Sequence, residues 1–244
     1  RVQDLYVKPI AGGQQKRLTW EGERARPVSW TTANEVLYTT TRYSTLPDLQ
    51  LVAVNPASGA TRRIALQQAS EGVFDSDGTL YFTRIPFQGS ATKRYQGGTI
   101  QQLWSFAAGA AEAIPLTTDF PGTSKNPMIF NHRLYFLSDR DGTMNLWSMA
   151  TGGGAPTQHT FHSGWDILGA SRCTSGGTSR IVYQLGADLW VYEAIAQGGR
   201  DASPNGSRKL DIRLSSDMDQ RREKWIREPM DWLSAAHLGS DGKH

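Results

Sequence analysis

The sequence contains only one cysteine and no long apolar run, and each of these features excludes one kind of structure. Because Cys173 is the only cysteine in 244 residues, no internal disulfide can form, and cytoplasm and periplasm both stay open as compartments. No stretch approaches the roughly 18 apolar residues that a membrane helix requires. We therefore expect a soluble chain without a membrane span. Cys173 lies in a Ser/Thr/Gly-rich stretch with no obvious base nearby, which is typical of an inert thiol.

A clustered basic surface is also absent. The chain has 26 basic and 23 acidic residues and a net charge of +3, but the basic residues are scattered along its length. Nucleic-acid binding requires them to gather in a patch or stripe. The densest charged segment, residues 221–228, mixes both signs and is typical of a solvated surface. These observations argue against a nucleic-acid partner.

The common catalytic and cofactor motifs are missing as well. The sequence has no G-x-S-x-G, H-E-x-x-H, C-x-x-C or G-x-x-x-x-G-K-[ST] pattern. His159 and His162 form a close pair, which we interpret as polar turn residues because further metal ligands are not apparent. Asp139-Arg140-Asp141-Gly142 resembles part of a calcium loop but lacks the final Glu, so we interpret it as a turn. We expect no catalytic residue, metal or cofactor in this chain.

What the sequence does contain is an internal repeat. A unit of polar residue, Leu and a mostly aromatic residue occurs five times, with its leucines 44, 54, 43 and 43 residues apart. The five leucines are Leu5, Leu49, Leu103, Leu146 and Leu189. An apolar-aromatic unit precedes most of them, as in 133–136, and a unit such as Leu116-Thr117 follows. The longer second interval contains an insertion of about 11 residues within 85–99.

The repeat predicts an all-β fold. Each period of about 43 residues holds about four short apolar segments separated by turns such as Asp75-Ser76-Asp77-Gly78. This is the size of one four-stranded β-propeller blade. We expect about five to six blades in an incomplete or six-bladed ring, with the unit leucines and aromatics packed between adjacent blades. Most of the eight tryptophans keep the repeat phase and are expected in the core, whereas Trp165 and Trp232 do not keep it.

The two ends of the chain suggest a segment of something longer. Residues 1–214 contain the predicted blades, and residues 215–244 are interpreted as a crossover followed by the start of a further blade. The chain begins at Arg1 without an initiator Met or a signal peptide. Since an open arc of blades leaves strand edges unpaired, we expect another segment or another copy of the chain to cover them, so an oligomer is possible.

Several segments resemble the amino-terminal propeller of tricorn-type serine peptidases. The most specific is Tyr95-Gln96-Gly97-Gly98-Thr99 followed by Leu103-Trp104, which is similar to that family's Tyr-x-Gly-Gly-Thr loop and the strand after it. Residues 131–142 resemble the strand and turn of the next blade, and residues 211–225 resemble the crossover after the first propeller. The resemblance covers nearly the whole chain.

The resemblance implies a non-catalytic part of a serine peptidase. In that family the propellers are thought to guide or filter peptides, and the catalytic segments lie downstream of the region matched, so no nucleophile, base or oxyanion donor is transferred to this sequence. The expected partners are peptides or other domains of the parent peptidase. The alternative is a stand-alone protein-binding propeller of the Tol-system periplasmic kind, which shares the looser repeat elements.

One loop carries the candidate binding residues. Lys93, Arg94, Tyr95, Gly97 and Gly98 lie in the blade insertion, which can project over the pore or over a neighbouring domain. Two cations there would hold a peptide carboxylate. The structural alternative is a loop whose glycines permit a tight backbone path and whose tyrosine packs locally.

Overall fold

The strands form short antiparallel sheets that follow one another along the chain. The structure, a computed structural model, describes residues 3–86, 94–130, 132–175, 178–194, 206–213 and 223–232. Four sheets have four strands each, joined in sequence order, and a fifth has two strands. The predicted all-β propeller of four-stranded blades is confirmed. The predicted count of five to six is only approximate, since the described residues form four full blades and one strand pair.

The strand bounds follow the repeat. The strand pair consists of β1 (Tyr6–Val7) and β2 (Lys16–Arg17). Blade 1 consists of β3 (Arg26–Trp30), β4 (Val36–Thr40), β5 (Gln50–Val54) and β6 (Thr61–Arg63). Blade 2 consists of β7 (Glu71–Phe74), β8 (Leu80–Thr83), β9 (Leu103–Phe106) and β10 (Ile114–Pro115). Blade 3 consists of β11 (Ser124–Phe130), β12 (Arg133–Ser138), β13 (Asn145–Ala150) and β14 (Thr157–Gln158). Blade 4 consists of β15 (Ile167–Ser175), β16 (Thr178–Leu185), β17 (Asp188–Ala194) and β18 (Ser207–Lys209).

A repeated hydrogen-bond pattern explains why the polar-Leu and Leu-Thr units recur together. In blade 3, the Thr160 hydroxyl accepts from the backbone N–H of Leu146 at 2.8 Å and donates to Asn145 Oδ1 at 2.9 Å. The same pattern joins Thr117 to Gln102 and Leu103, and Thr19 to Asp4 and Leu5. Each threonine thereby ties the end of the last strand of its sheet to the strand before it and satisfies buried polar groups.

The core lies between successive sheets. Leu5, Leu103 and Leu146 of the repeated unit are buried in three different clusters. Leu103 belongs to the cluster that joins blade 2 to blade 3, and Leu146 to the cluster that joins blade 3 to blade 4. The expected packing of leucines between blades is confirmed at these positions, whereas Leu189 on blade 4 is 42% exposed.

The tryptophans only partly follow the prediction. Trp104, Trp147 and Trp190 occupy equivalent places on the third strands of their blades and pack, half-buried, against three core clusters. Trp20 and Trp30 were expected in the core but are 66% and 55% exposed. The position of a residue within the repeat predicts where along the blade it lies. It does not predict whether its side chain faces a neighbouring sheet or solvent.

Residues 211–244 form a second compact unit, separate from the unit that contains residues 1–210. The part that the structure describes includes a 3-10 helix at Pro229–Trp232. Trp225 is 91% exposed, and Arg213 makes an exposed ion pair with Asp211 at 3.5 Å. Such an ion pair contributes little to stability.

Candidate functional site

The first strands of the four blades line one cavity of about 770 Å³, here called the inner cavity. These strands are β3, β7, β11 and β15, and each is the free edge of its sheet. Three of them contain a register irregularity, within residues 27–29, 125–128 and 168–171. A bulge turns side chains away from the regular alternation, and polar groups thus reach neighbouring blades.

Side-chain hydrogen bonds connect each inner strand to the next. The Ser29 hydroxyl of blade 1 donates to the Gly72 carbonyl of blade 2 at 2.9 Å. The backbone N–H of Asn126 in blade 3 donates to Glu71 Oε2 of blade 2 at 2.7 Å. The Asn126 side-chain amide donates to the Ala170 carbonyl of blade 4 at 2.9 Å. Asn126 therefore contacts both neighbouring blades, from a left-handed backbone with φ of 57°.

Glu71 and Lys125 are a carboxylate and a cation placed on adjacent inner strands. Burial raises the pKa of Glu71 above its ordinary value, although the Asn126 N–H and the Lys125 charge favour ionisation. Burial lowers the pKa of Lys125, opposed by the charges of Glu71, Asp166 and Asp139. Burial thus disfavours the charged form of both groups at the junction of blades 2 and 3, and the charge of each group partly offsets this effect on the other.

A second cavity, of about 540 Å³, lies where strands end in turns, and we name it the rim cavity. Its wall is built from the β8–β9 connection, the start of β11, the β12–β13 turn, the segment entering β15 and the β16–β17 turn. The lining residues used below are Arg94, Tyr95, Lys125, Asp139, Trp165, Asp166 and Leu168. Three successive blades thus contribute to one cavity.

The described part of the predicted binding loop borders the rim cavity. Arg94 Nε donates to the Gly142 carbonyl at 2.8 Å, which fixes the guanidinium against the β12–β13 turn. Within the described residues its Nη nitrogens have no hydrogen-bond partner, and the side chain is exposed. Tyr95 also lines the cavity, and its hydroxyl accepts from Thr99 Oγ1 at 3.0 Å.

The two glycines of that loop differ in their roles. A Cβ at Gly97 would overlap the Tyr95 ring, so glycine is required there for the ring to fold back on the loop. A Cβ at Gly98 would meet nothing within 4 Å. Neither glycine lines the rim cavity. Lys93 lies outside the described residues. The binding role of this loop stays a prediction.

Two carboxyl side chains line the rim cavity. Asp139 Oδ1 accepts from the Thr123 N–H at 2.8 Å, and Asp166 Oδ1 accepts from the Met144 N–H at 3.0 Å. Burial raises the pKa of Asp139, and the nearby Asp166 charge raises it further. Acidic and basic side chains, Asp139, Asp166, Lys125 and Arg94, thus line the same cavity. The cavity is therefore suited to a ligand that is itself charged and polar along its backbone.

The histidine pair joins blades rather than filling a turn, which sequence reasoning missed. His159 Nδ1 is 2.8 Å from the Tyr192 hydroxyl, and Nε2 is 2.7 Å from Ser148 Oγ. His162 Nε2 is 2.8 Å from the Tyr183 hydroxyl, and its ring meets Trp190 edge-on at 5.1 Å. Both histidines thus reach from the β14–β15 connection to blade 4. Their spacing alone contained no signal for Tyr183, Trp190 and Tyr192, which lie on later strands.

Burial of His162 predicts a pH dependence of stability. Burial lowers the pKa of His162 below its ordinary value, so the unfolded chain binds a proton more readily than the folded chain. This part of the stability is present above the unfolded pKa of about 6.5 and is lost as the pH falls through the folded pKa. We expect His162→Gln to reduce the loss of unfolding free energy between pH 7.5 and pH 5 in urea titrations.

A matched variant distinguishes the effect of His162 protonation from the effect of its hydrogen bond with Tyr183. Tyr183→Phe removes the hydroxyl that meets His162 but keeps the imidazole. Burial raises the pKa of Tyr183 to about 12, so its hydroxyl is neutral throughout this pH range. We expect Tyr183→Phe to lower stability at both pH values by about 1 kcal/mol and to retain the slope. An unchanged slope in His162→Gln would contradict the assignment.

Neither a metal-ligand cluster nor a membrane-spanning helix occurs within the described residues. Within residues 3–86, 94–130, 132–175, 178–194, 206–213 and 223–232, no three His, Cys, Asp or Glu side chains are grouped so that they would hold a metal ion. In the same ranges, no helix has the length and apolar character needed to cross a membrane. Asp139 and Gly142 close a turn through the Gly142 N–H and the Asp139 carbonyl at 2.9 Å.

Comparison with known families gives a match over most of the chain. Residues 1–197 match the family model described as the tricorn protease N-terminal β-propeller domain. The chain belongs to this family. The match includes all residues described above as lining the two cavities.

Curated tricorn relatives show the same extent of similarity. The chain is 32% identical over 252 residues to tricorn protease homolog 2 of Streptomyces coelicolor, covering 98% of this chain and 20% of the relative. It is 29% identical to the tricorn protease homolog of Saccharolobus solfataricus, covering 96% of this chain and 20% of that protein. The chain therefore spans about a fifth of the length of these relatives.

Solved structures agree on the fold. The crystal structure of the tricorn protease matches with a TM-score of 0.70 at 21% identity, over 87% of this chain and 20% of that one. TolB from Acinetobacter baumannii matches with a TM-score of 0.57 at 15% identity, over 81% of this chain and 47% of that one. At these identities the likeness shows the fold alone, and the Tol-type protein is only a distant structural neighbour.

Proposed function

We propose that this tricorn-family propeller is a non-catalytic segment of a larger serine peptidase and that it guides or filters peptides. The observation that carries the proposal is the rim cavity, where Arg94 and Lys125 lie with two carboxylates in a space of about 540 Å³. Ligand pockets commonly have volumes of 300–1,000 Å³. The parent peptidase would supply the nucleophile and base, and the propeller would supply binding.

Arg94 is the residue best placed to hold the carboxylate of a peptide. A guanidinium presents several N–H donors in one plane, which suits a carboxylate. Its Nε is used by the Gly142 carbonyl, which limits the rotation of the side chain and leaves the Nη donors for a ligand. Ordering the side chain before binding reduces the entropy lost on binding.

The test compares peptides with a free carboxyl terminus and the same peptides with a terminal amide. We expect the free carboxylates to bind about tenfold more tightly by isothermal titration calorimetry, the size of one charge-assisted hydrogen bond. Arg94→Gln should abolish the difference. Arg62→Gln is the control, since Arg62 on β6 pairs with Glu35 at 2.7 Å and lines neither cavity. Mass spectrometry of the same mixtures should show no hydrolysis.

Two results would count against the proposal. Peptides that bind equally as acid and amide would remove the role of Arg94 as the carboxylate partner. Peptide cleavage by the purified chain would show catalytic residues within it. Other domains of the parent peptidase are the further partners that we propose, since the chain spans about a fifth of its relatives.

A further inference from the structure

Two large apolar side chains lie exposed in the rim cavity. Trp165 is 68% exposed and Leu168 is 48% exposed, and both line the cavity. Between them in sequence, Ile167 is fully buried in the core that joins blades 3 and 4. The backbone of this segment is therefore anchored, while its two large apolar neighbours face the cavity. Exposed apolar surface beside a cavity is typical of a binding site.

The Trp165 ring is supported on one side. A Cβ built on Gly186 would lie 3.8–4.0 Å from three atoms of the indole. Gly186 is in the β16–β17 turn, with φ of 61°, a conformation that favours glycine. The ring thus packs against the turn of blade 4, as an aromatic ring does in a preformed site. Its remaining surface accounts for its high exposure.

The polar groups of the same cavity indicate what the apolar surface would contact. Arg94, Lys125 and Asp166 line the cavity together with Trp165 and Leu168. A purely apolar ligand such as a lipid chain would desolvate the exposed Arg94 guanidinium without offering it an acceptor, which is costly. A peptide satisfies both parts, because its backbone and terminus are polar and its side chain can be apolar.

We propose that Trp165 and Leu168 form a subsite for an aromatic or long aliphatic side chain of a bound peptide. This inference rests on the proposed function, since the subsite selects among peptides that the rim cavity already binds. The subsite lies on blade 4, whereas Arg94 is in the β8–β9 connection of blade 2. Selectivity for a side chain is therefore separable by mutation from recognition of the carboxylate.

The experiment uses tetrapeptides with a free carboxyl terminus that differ at one position, which is Phe, Leu, Gly or Lys. We expect the Phe and Leu peptides to bind at least tenfold more tightly than the Gly peptide to the wild-type chain, measured by calorimetry. Trp165→Ala should reduce this preference to less than threefold while the Gly peptide binds as before. Trp20→Ala is the matched control, since Trp20 is 66% exposed and lines neither cavity.

The outcomes separate this inference from the proposed function. If no peptide binds, the proposed function fails and the subsite fails with it. If peptides bind in an Arg94-dependent way but Phe, Leu and Gly are equal, only the subsite is overturned. Tighter binding of the Lys peptide would also overturn it, because Asp139 and Asp166 and not the indole would then select the side chain. Retention of the Phe preference in Trp165→Ala and in Leu168→Ala would overturn the assignment to these residues.

Discussion

Phe136→Ala should lower the free energy of unfolding by about 3–5 kcal/mol, the usual cost of removing a buried phenylalanine. Phe136 is fully buried on β12 of blade 3. Its cluster contains Val73, Tyr81 and Leu103 from blade 2. The truncation therefore leaves a cavity between two blades, which the fixed strands of both sheets can fill only in part. Urea unfolding followed by circular dichroism measures the loss.

Phe161→Ala is the matched control for this prediction. Phe161 is 58% exposed in the β14–β15 connection, so the same truncation there should change stability by less than about 0.5 kcal/mol. The comparison tests whether adjacent sheets support each other through their shared clusters. Similar effects at the two positions would mean that the interface between blades 2 and 3 does not contribute to the fold as described.

The repeat was sufficient to predict the architecture because it reports directly on hydrogen bonding and packing. Thr117 and Thr160 recur because each satisfies a buried N–H of the third strand. Leu103 and Leu146 recur because each fills an interface between blades. Constraints of this kind repeat once per blade and are visible in one sequence. The number of blades was predicted only approximately, because dividing the length by the period also counts the segment of the strand pair, which does not form four strands within the described residues.

The candidate site was predicted only in part, because its residues occur once. Arg94 and Tyr95 belong to an insertion that interrupts the period, and they do line the rim cavity. Lys125 and Asp139 come from blade 3 and Trp165 from the segment entering blade 4, and these segments meet the loop of Arg94 only when the blades are stacked. Trp165 was noticed as a residue outside the repeat, and this was the available signal. Nothing in the sequence placed it beside Arg94.

Asn126 could not have been identified from the sequence, although it connects three blades. Its importance depends on a left-handed backbone at the β11 bulge, with φ of 57°. Asparagine adopts this conformation more readily than most residues. The bulge turns its N–H toward Glu71 and its amide toward Ala170. One residue therefore combines a backbone role and a side-chain role.

Asn126→Ala should lower the free energy of unfolding by about 2–3 kcal/mol. The loss of the amide leaves the Ala170 carbonyl without this donor, at a cost of about 1 kcal/mol. Alanine also bears a further penalty of roughly 1–2 kcal/mol in the left-handed region. Asn126→Gly removes the same amide but adopts this conformation without strain, so we expect a loss of only about 1 kcal/mol. Both variants retain the backbone N–H that donates to Glu71.

The relative stability of Asn126→Ala and Asn126→Gly tests whether the left-handed backbone explains the effect. Helix- and strand-propensity scales both rank glycine below alanine. If Asn126 matters only as an ordinary strand residue, Asn126→Gly will be the less stable variant. If the backbone conformation at the bulge is a main determinant, Asn126→Ala will be the less stable one. Urea titrations of both proteins at pH 7.5 decide between these orders. A glycine variant less stable than the alanine variant would exclude the left-handed bulge as a source of stability at the junction of blades 2, 3 and 4.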